Sequence, residues 1–246
     1  SFTYTVSGVA PCTDDVANFD ITVSNLPNAG ADNNTSICNV SGSSIDLNTL
    51  LMGADPGGTW TETTASGAFT PATGILNTDG LTAGVYNFTY DIAAIGACPA
   101  DQSVFDVTVE QEVMAGADDL SPEICNTAGS MVNLNTYLDP SASPGGIWAE
   151  TTASGTFTPA TGILNTDGLA AGVYSFTYSV TGIAPCPSDL ANFNVTVQQE
   201  VNAGSDNTTS SCNNPATIID LNTLLTGADA GGVWDETTAS GSFTPA

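Results

Sequence analysis

An internal repeat of about 87 residues constrains the fold of this chain more than any other feature of its sequence. The three tryptophans, Trp60, Trp148 and Trp234, lie 88 and 86 residues apart. The segment of 28 residues that begins at Thr63 reappears from Thr151 with only three substitutions. Because each copy of such a repeat is one structural unit, the sequence predicts a tandem array of small domains rather than one large domain.

The repeat divides the 246 residues into four segments, and the motif Ala-Gly-x-Asp marks each boundary. We predict complete repeats at 29–114 and 115–202, flanked by partial repeats at 1–28 and 203–246. The chain opens late in one repeat and stops midway through another. We therefore expect it to be part of a longer array.

Apolar and polar residues alternate within each repeat, which is the period of a β-strand. From Tyr86 to Ile92 every second side chain is apolar, and turns rich in Gly, Pro and Asp separate such runs. Short strands with these turn signals predict an all-β fold of tandem immunoglobulin-like antiparallel β-sandwiches. The pattern Leu-x-x-Gly-x-Tyr is typical of a tyrosine corner in such domains. The residues expected in the core are Trp60, Trp148, Trp234, Tyr86 and Tyr174.

The absence of every basic side chain excludes most catalytic and nucleic-acid-binding chemistry. The chain has 26 Asp and Glu residues and no Lys, Arg or His, which gives a formal net charge of −26. Histidine-dependent nucleophiles, Schiff-base lysines and arginine clamps therefore cannot form. Nucleic acids and anionic lipid surfaces should be repelled, and no apolar stretch reaches the about 18 residues of a membrane span. We expect a non-catalytic protein without a cofactor, a nucleic-acid partner or membrane insertion.

Six cysteines, one early and one late in each period, predict disulfides formed in an oxidising compartment. We favour pairing within a repeat, with Cys12 and Cys212 finding partners outside this segment: Cys38 with Cys98 and Cys125 with Cys186. A second pairing joins neighbouring repeats and uses all six cysteines: Cys12–Cys38, Cys98–Cys125 and Cys186–Cys212. The spacing alone does not choose between the two.

Acidic pairs and tryptophans are the remaining candidates for a binding site. Calcium is the one metal suggested, because it takes carboxylate and amide oxygens such as those at Asp14-Asp15, Asp118-Asp119 and the Asn-Thr-Asp-Gly segments 77–80 and 165–168. None matches the spacing of an EF-hand loop, and Asp before Gly is also what ordinary turns require, so turn chemistry is favoured. The tryptophans could stack on sugars, but one Trp per repeat in an alternating context is more typical of a core.

The repeat pattern resembles that of a known family. The residues that carry the resemblance, with their equivalents one period later, are Ala29-Gly30, Cys38, Gly57-Gly58, Trp60, Gly84, Tyr86 and Cys98. They resemble the immunoglobulin-like tandem repeats of giant Bacteroidetes surface proteins, the gliding-motility and type IX-secreted adhesins. The resemblance covers the whole chain. It implies a secreted protein at the cell surface whose first partners are neighbouring repeats of the same chain.

Three functions are consistent with these observations. The first is a structural stalk or fibre segment of a secreted bacterial adhesin or extracellular filament. Exposed edge strands could also pair several chains into a homo-oligomeric filament, and the sequence leaves this open. The second is a module that binds calcium, polysaccharide or another cell-surface ligand, and the third is a spacer in a secreted hydrolase. Near-identity between repeats favours the first function, because a dedicated site needs only one copy.

The linker between the complete repeats predicts a stiff junction. Only residues 110–114 separate the last predicted strand of one repeat from the next repeat, and they contain no Gly-, Pro- or Ser-rich hinge. We expect Val113 or Met114, and likewise Val201, to be buried where neighbouring sandwiches abut. The array should then be a nearly straight rod.

Overall fold

The strands of the protein follow the alternating pattern of its sequence. The computed structural model describes residues 1–118 and 122–244. Within these ranges the chain forms short strands joined by turns and 3-10 turns. No helix in the described ranges has the length and apolar character needed to cross a membrane.

The chain divides into two units by its internal contacts. The first unit consists of Ser1–Ala115, Ser141–Gly146 and Ser179–Leu190. The second consists of Gly116–Pro140, Ile147–Tyr178 and Ala191–Ala246. Two segments from the repeat at 115–202 therefore group with the first unit, and the repeat boundaries given by the sequence stay predictions.

The first repeat contains seven strands. They are preceded by an antiparallel hairpin of β1 (Phe2–Val6) and β2 (Asp15–Phe19). The seven strands are β3 (Asn33–Cys38), β4 (Ser44–Asp46), β5 (Thr59–Glu62), β6 (Phe69–Thr70), β7 (Ile75–Asn77), β8 (Gly84–Ile92) and β9 (Asp101–Glu110). A 3-10 turn at Leu47–Leu50 follows β4, and the side chain of Asp46 caps it by accepting a hydrogen bond from the Asn48 N–H.

These strands form two sheets, ordered β3-β9-β8-β5 and β4-β7-β6. Neighbouring strands are antiparallel except for β3, which runs parallel to β9 and places Cys38 beside Glu110. Two sheets with this division of strands, antiparallel apart from the β3–β9 pair, are the arrangement of an immunoglobulin-like sandwich in which the first strand pairs with the last. The predicted fold, a tandem immunoglobulin-like β-sandwich, is confirmed.

Aromatic side chains from both sheets fill the core of the first repeat. Trp60 on β5 is 6% exposed, and its ring centroid lies 5.0 Å from those of Tyr90 and Phe105. Phe69 of the smaller sheet packs on Phe88 of the larger sheet, with ring centroids 4.7 Å apart. Removal of these large apolar surfaces from water is the main stabilising contribution to the sandwich.

The second repeat builds the same arrangement from its own strands. They are β10 (Glu123–Cys125), β11 (Met131–Asn133), β12 (Ile147–Glu150), β13 (Phe157–Thr158), β14 (Ile163–Asn165), β15 (Gly172–Val180) and β16 (Asp189–Gln198). Their sheet orders, β10-β16-β15-β12 and β11-β14-β13, repeat those of the first. Trp148 is 4% exposed and packs on Tyr178 and Phe193, with ring centroids 5.0 and 4.9 Å away.

The partial repeat at 203–246 does not bury its tryptophan. The indole Nε1 of Trp234 donates a hydrogen bond to Asn222 at 3.0 Å, as in the complete repeats. Its side chain is nevertheless only half-buried, so the core position predicted for Trp234 is wrong for this chain. In the complete repeats the rings that cover the tryptophan belong to the two long strands of the larger sheet.

Tyr86 and Tyr174 form tyrosine corners at the start of the long strands β8 and β15. The Tyr86 hydroxyl donates to the carbonyl of Thr82 at 2.8 Å, and that of Tyr174 donates to Ala170 at 3.0 Å. Both residues are half-buried rather than fully enclosed in the core, because the hydroxyl lies at an exposed turn. Each corner fixes the turn that leads into the strand.

Candidate functional site: the junction between repeats

The junction is built on the last strand of the first complete repeat. β9 ends at Glu110, and residues 111–115 lead into the next repeat. Cys38, the last residue of β3, lies beside Glu110, and Asn39 follows it directly. All the residues of this junction belong to the first unit.

Cys38 forms a disulfide with Cys186, 148 residues further along the chain. Their Cα atoms are 4.9 Å apart, within the roughly 4.4–6.8 Å that a disulfide spans. The sulfur of Cys186 also lies 3.5 Å from the carbonyl oxygen of Glu110. Cys38 and Cys186 are 7% and 5% exposed, so the bond is buried at the end of β9.

The predicted bond between Cys38 and Cys98 is therefore wrong, and the direction of β3 explains why. β3 runs parallel to β9 and brings Cys38 to the Glu110 end, whereas Cys98 comes just before Asp101 at the opposite end. The 10 residues of β9 span about 33 Å, several times the reach of a disulfide.

The predicted bond between Cys125 and Cys186 is wrong for the same reason. Cys125 lies beside Gln198 at the end of β16, whereas Cys186 precedes the start of that strand. The alternative pairing, which required Cys12–Cys38 and Cys186–Cys212, also conflicts with the observed bond. In the described ranges the cysteines without a disulfide are Cys12, Cys98, Cys125 and Cys212.

A tight loop before β16 presents Cys186 to the junction. The Cys186 N–H donates to the carbonyl of Ile183 at 2.8 Å, and the Gly182 N–H donates to the Ser188 hydroxyl at 3.2 Å. A Cβ added at Gly182 would lie 2.6 Å from the carbonyl oxygen of Cys186, closer than real Cβ contacts allow. The path of this loop therefore requires glycine at position 182.

Asn39 binds the backbone of the linker where it leaves the first repeat. Its Oδ1 accepts a hydrogen bond from the Glu112 N–H at 2.7 Å. Its Nδ2 donates to the carbonyl of Leu81 at 2.8 Å and to the Gln111 side chain at 3.3 Å. Asn39 is 6% exposed, and a buried amide of this kind is stable only when its polar atoms are paired.

The far end of the linker is bound by a loop and by the first residue of β16, both from the following repeat. Met114 and Ser143 exchange two hydrogen bonds, one from the Met114 N–H to the Ser143 hydroxyl at 3.0 Å and one from the Ser143 N–H to the Met114 carbonyl at 2.7 Å. The Ala115 N–H donates to a carboxylate oxygen of Asp189 at 2.8 Å, and Ala115 is fully buried. Backbone groups at both ends of the linker are thus paired.

The same contacts recur at the preceding boundary. Asn28 and Asp55 exchange hydrogen bonds, from the Asn28 N–H to the Asp55 carboxylate at 2.9 Å and from the Asp55 N–H to the Asn28 carbonyl at 2.7 Å. The Ala29 N–H donates to Asp101 at 2.7 Å, as Ala115 does in the next repeat. The contacts at the far end of the linker are therefore alike at both boundaries.

The boundary after the second complete repeat uses equivalent residues. The Asn126 side chain accepts from the Glu200 N–H at 2.6 Å and donates to the carbonyl of Leu169 at 2.7 Å. The Asn202 N–H donates to Asp229 at 2.8 Å, and the Asp229 N–H donates back to the Asn202 carbonyl at 2.8 Å. These contacts are a property of the repeat and not of one junction.

The apolar residues of the linkers are covered unequally. Val113 is half-buried, whereas Met114 is 44% exposed. Val201 is 86% exposed, so the prediction that it is buried is wrong for this chain. Hydrogen bonds and a disulfide, more than apolar burial, hold the linker.

The repeated acidic turns act as hydrogen-bond acceptors. Asp79 accepts from the Gly42 N–H at 3.0 Å, and Asp167 accepts from the Gly129 N–H at 3.0 Å. In both turns the preceding Asn side chain also accepts from the N–H of that Asp, which is the geometry of an Asx turn. These carboxylates connect two loops within each sandwich.

The other acidic pairs are partly accounted for. Asp14 accepts from the Gly8 N–H at 2.8 Å, and Asp118 accepts from the Asn192 N–H at 2.8 Å. Asp119 lies outside the described residues. Within the described ranges, no three acidic or cysteine side chains gather closely enough to hold a metal ion.

Sequence reasoning did not identify Asn39 and Asp189 as junction residues. A signal for each was present, because Asn follows the early cysteine at 39, 126 and 213, and Asp comes three residues after the late cysteine at 15, 101 and 189. Recurrence marks such positions as structural. It does not say which distant backbone group each side chain binds.

No protein-family model and no curated protein sequence matches this chain. Among solved structures, a fragment with three immunoglobulin domains of titin has a TM-score of 0.36 at 13% identity, covering 68% of this chain and 63% of that one. The N-terminal four immunoglobulin domains of Dscam1 isoform 7.44 give 0.37 at 14% identity, covering 75% and 51%. Extracellular domains 3–5 of Drosophila OTK give 0.36 at 13% identity, covering 70% and 60%. This chain thus spans less than two thirds of each of these structures.

Proposed function

We propose that this chain is a segment of the shaft of a secreted bacterial surface adhesin or extracellular filament, with a structural role and no catalytic one. The junction carries the proposal. Two covalent connections join the successive repeats: the peptide chain of the linker and the buried Cys38–Cys186 disulfide. Hydrogen bonds also hold the linker at both of its ends. A shaft has to transmit force through many domains, and such a junction suits that task.

The composition supports a structural role outside the cell. The chain lacks the Lys, Arg and His residues on which most catalytic sites depend. Disulfides persist in oxidising compartments, which suits a secreted protein. The resemblance of the repeat to those of Bacteroidetes adhesins supports the cell surface as its location.

The carbohydrate-binding alternative has less support. Trp60 and Trp148 are 6% and 4% exposed, so neither can stack on a sugar without opening its sandwich. The aspartates of the repeated turns already accept backbone hydrogen bonds, which accounts for their presence without calcium. A spacer in a secreted hydrolase would need the same junction, and it differs from the shaft only in what the array carries.

Electron microscopy of the oxidised full chain tests the proposal. We expect elongated, nearly straight particles, because hydrogen bonds, and at one junction a disulfide, hold neighbouring repeats together in addition to the peptide chain of the linker. The double variant Cys38→Ser, Cys186→Ser is the matched control, and it should show a wider range of angles at one position. Compact globules, or beads at freely varying angles in the unmodified chain, would refute a shaft.

A further inference from the structure

The observed disulfide has a direction along the array. Cys38 is the early cysteine of its repeat, and Cys186 is the late cysteine of the following repeat. The bond therefore joins the early cysteine of one repeat to the late cysteine of the next. This rule assigns a partner position to every other cysteine in the chain.

Cys98 lies in the position that Cys186 occupies one repeat later. Its sulfur is 3.6 Å from the carbonyl oxygen of Ser24, and the sulfur of Cys186 is 3.5 Å from that of Glu110. Ser24 and Glu110 are equivalent positions, 86 residues apart, the same interval that separates Cys12 from Cys98. Cys98 is half-buried and has no disulfide partner in the described residues.

Cys125 lies in the position that Cys38 occupies one repeat earlier. It is the last residue of β10 beside Gln198, as Cys38 is the last residue of β3 beside Glu110. The next residue, Asn126, binds its linker as Asn39 does, so this end of the second repeat matches the end of the first. Cys125 is exposed and free.

We propose that Cys98 and Cys125 are cross-linking sites for neighbouring repeats of the same kind. Cys125 bonds the late cysteine of a following repeat, and Cys98 bonds the early cysteine of a preceding one. For Cys125 the partner surface is the loop that carries Cys186 here, with its equivalent of Gly182, and Gln198 beside Cys125 takes the place of Glu110, whose carbonyl the Cys186 sulfur contacts. For Cys98 the partner surface is a strand end like the one that carries Cys38 here. This proposal rests on the proposed function in one respect, since it requires an array of repeats.

By the same rule, one disulfide joins every pair of consecutive repeats in the array. We call each such inter-repeat disulfide a staple. Cys12 is the late cysteine of its repeat, so by this rule it bonds the early cysteine of a preceding repeat. Cys212 is an early cysteine and bonds the late cysteine of a following repeat. In each bond two thiols lose two protons and two electrons as the Sγ–Sγ bond forms. A small oxidised disulfide such as glutathione disulfide accepts the electrons and protons and is cleaved to two thiols.

One added repeat in the full chain tests the rule at Cys125. A second copy of residues 115–202 is inserted after Asn202, and within this copy two substitutions are made, Cys125→Ser and Leu190→Val. The copy then contributes one cysteine, equivalent to Cys186, whose peptide differs in mass from the original. The chain is refolded in glutathione buffer, alkylated without reduction and digested with pepsin, since trypsin finds no Lys or Arg.

We expect Cys125 in a disulfide with the cysteine of the inserted copy, while Cys38–Cys186 remains intact. In a control insertion whose copy also carries Cys186→Ser, Cys125 should be recovered fully alkylated. A free Cys125 in the first protein, or a bond from Cys125 to the original Cys186, would overturn the proposal. Electron microscopy reports separately on the shaft. An extended particle in which Cys125 is a free thiol would refute the predicted disulfide but not the shaft. A compact particle in which Cys125 forms that disulfide would refute the shaft but not the disulfide.

Discussion

At the scale of single residues, the junction depends on Asn39. Its side chain bonds a turn of the sandwich through Leu81 and the linker through Glu112, and it is 6% exposed. Both hydrogen bonds are partly buried, so removal of the amide leaves their backbone groups without an equally placed partner. A side chain without both a donor and an acceptor would leave one of them unpaired.

The variant Asn39→Ala should lower the free energy of unfolding by about 1–3 kcal/mol, the cost of leaving buried polar groups unpaired. Urea unfolding followed by tryptophan fluorescence measures this change. The matched control is Asn213→Ala, because Asn213 follows the early cysteine of its repeat in the same way but is exposed. Equal effects of the two substitutions would show that Asn39 has no special role.

Tryptophan provides a second comparison at this scale. Trp60→Ala removes a ring that contacts Tyr90 and Phe105, and it should destabilise the protein by about 3–5 kcal/mol. Trp234→Ala should cost much less, because Trp234 is only half-buried. Thermal unfolding by circular dichroism distinguishes the two. A loss at Trp234 as large as that at Trp60 would mean that the partial repeat is better packed than its exposure indicates.

At the scale of strands, the sequence predicts what is local and misses what is distant. The alternation from Tyr86 to Ile92 predicts a strand, and β8 covers these residues because period two is a local property of a half-buried strand. The parallel pairing of β3 with β9 joins residues about 70 positions apart, and no local pattern reports it. That pairing decides at which end of the sandwich Cys38 lies. The predicted disulfides failed for this reason, although disulfide formation itself was anticipated.

The loop before β16 is the element on which the disulfide depends. Gly182→Ala places a methyl group against the carbonyl oxygens of Cys186 and Pro187, so the loop has to shift. We expect a smaller fraction of Cys38–Cys186 and a matching increase in alkylation of both cysteines, measured by mass spectrometry without reduction.

Gly232→Ala is the control for this substitution, because nothing lies within 4 Å of a Cβ added there. It should leave the alkylation pattern unchanged. If Gly182→Ala also leaves it unchanged, the loop tolerates a side chain, and its glycine has no part in presenting Cys186.

At the scale of the whole molecule, repulsion between like charges is the dominant electrostatic feature. The net charge is −26, and in the described residues the one ion pair joins the amino terminus of Ser1 to Asp20, 3.9 Å apart and exposed. Such a charge keeps chains apart in solution and opposes side-by-side assembly unless cations screen it.

Acidification should therefore cause association. The chain has 26 carboxylates and no basic side chain, so its net charge approaches zero only when almost all of them are protonated, which places its pI at roughly pH 3 or below. Light scattering during titration from pH 7 to the pI should show a sharp loss of solubility. Added salt should change the pH of this transition only slightly. Monodisperse protein at the pI would mean that repulsion between carboxylates is not what keeps the chains apart.

Disulfide mapping of the purified, non-reduced chain tests most directly whether a disulfide joins consecutive repeats. Free thiols are alkylated, the chain is digested with pepsin, and linked peptides are identified by mass spectrometry. We expect one linked pair that contains Cys38 and Cys186, with Cys98 and Cys125 recovered as alkylated thiols. A peptide pair that joins Cys38 to Cys98, or Cys125 to Cys186, would place each disulfide inside one repeat and contradict the stapled junction.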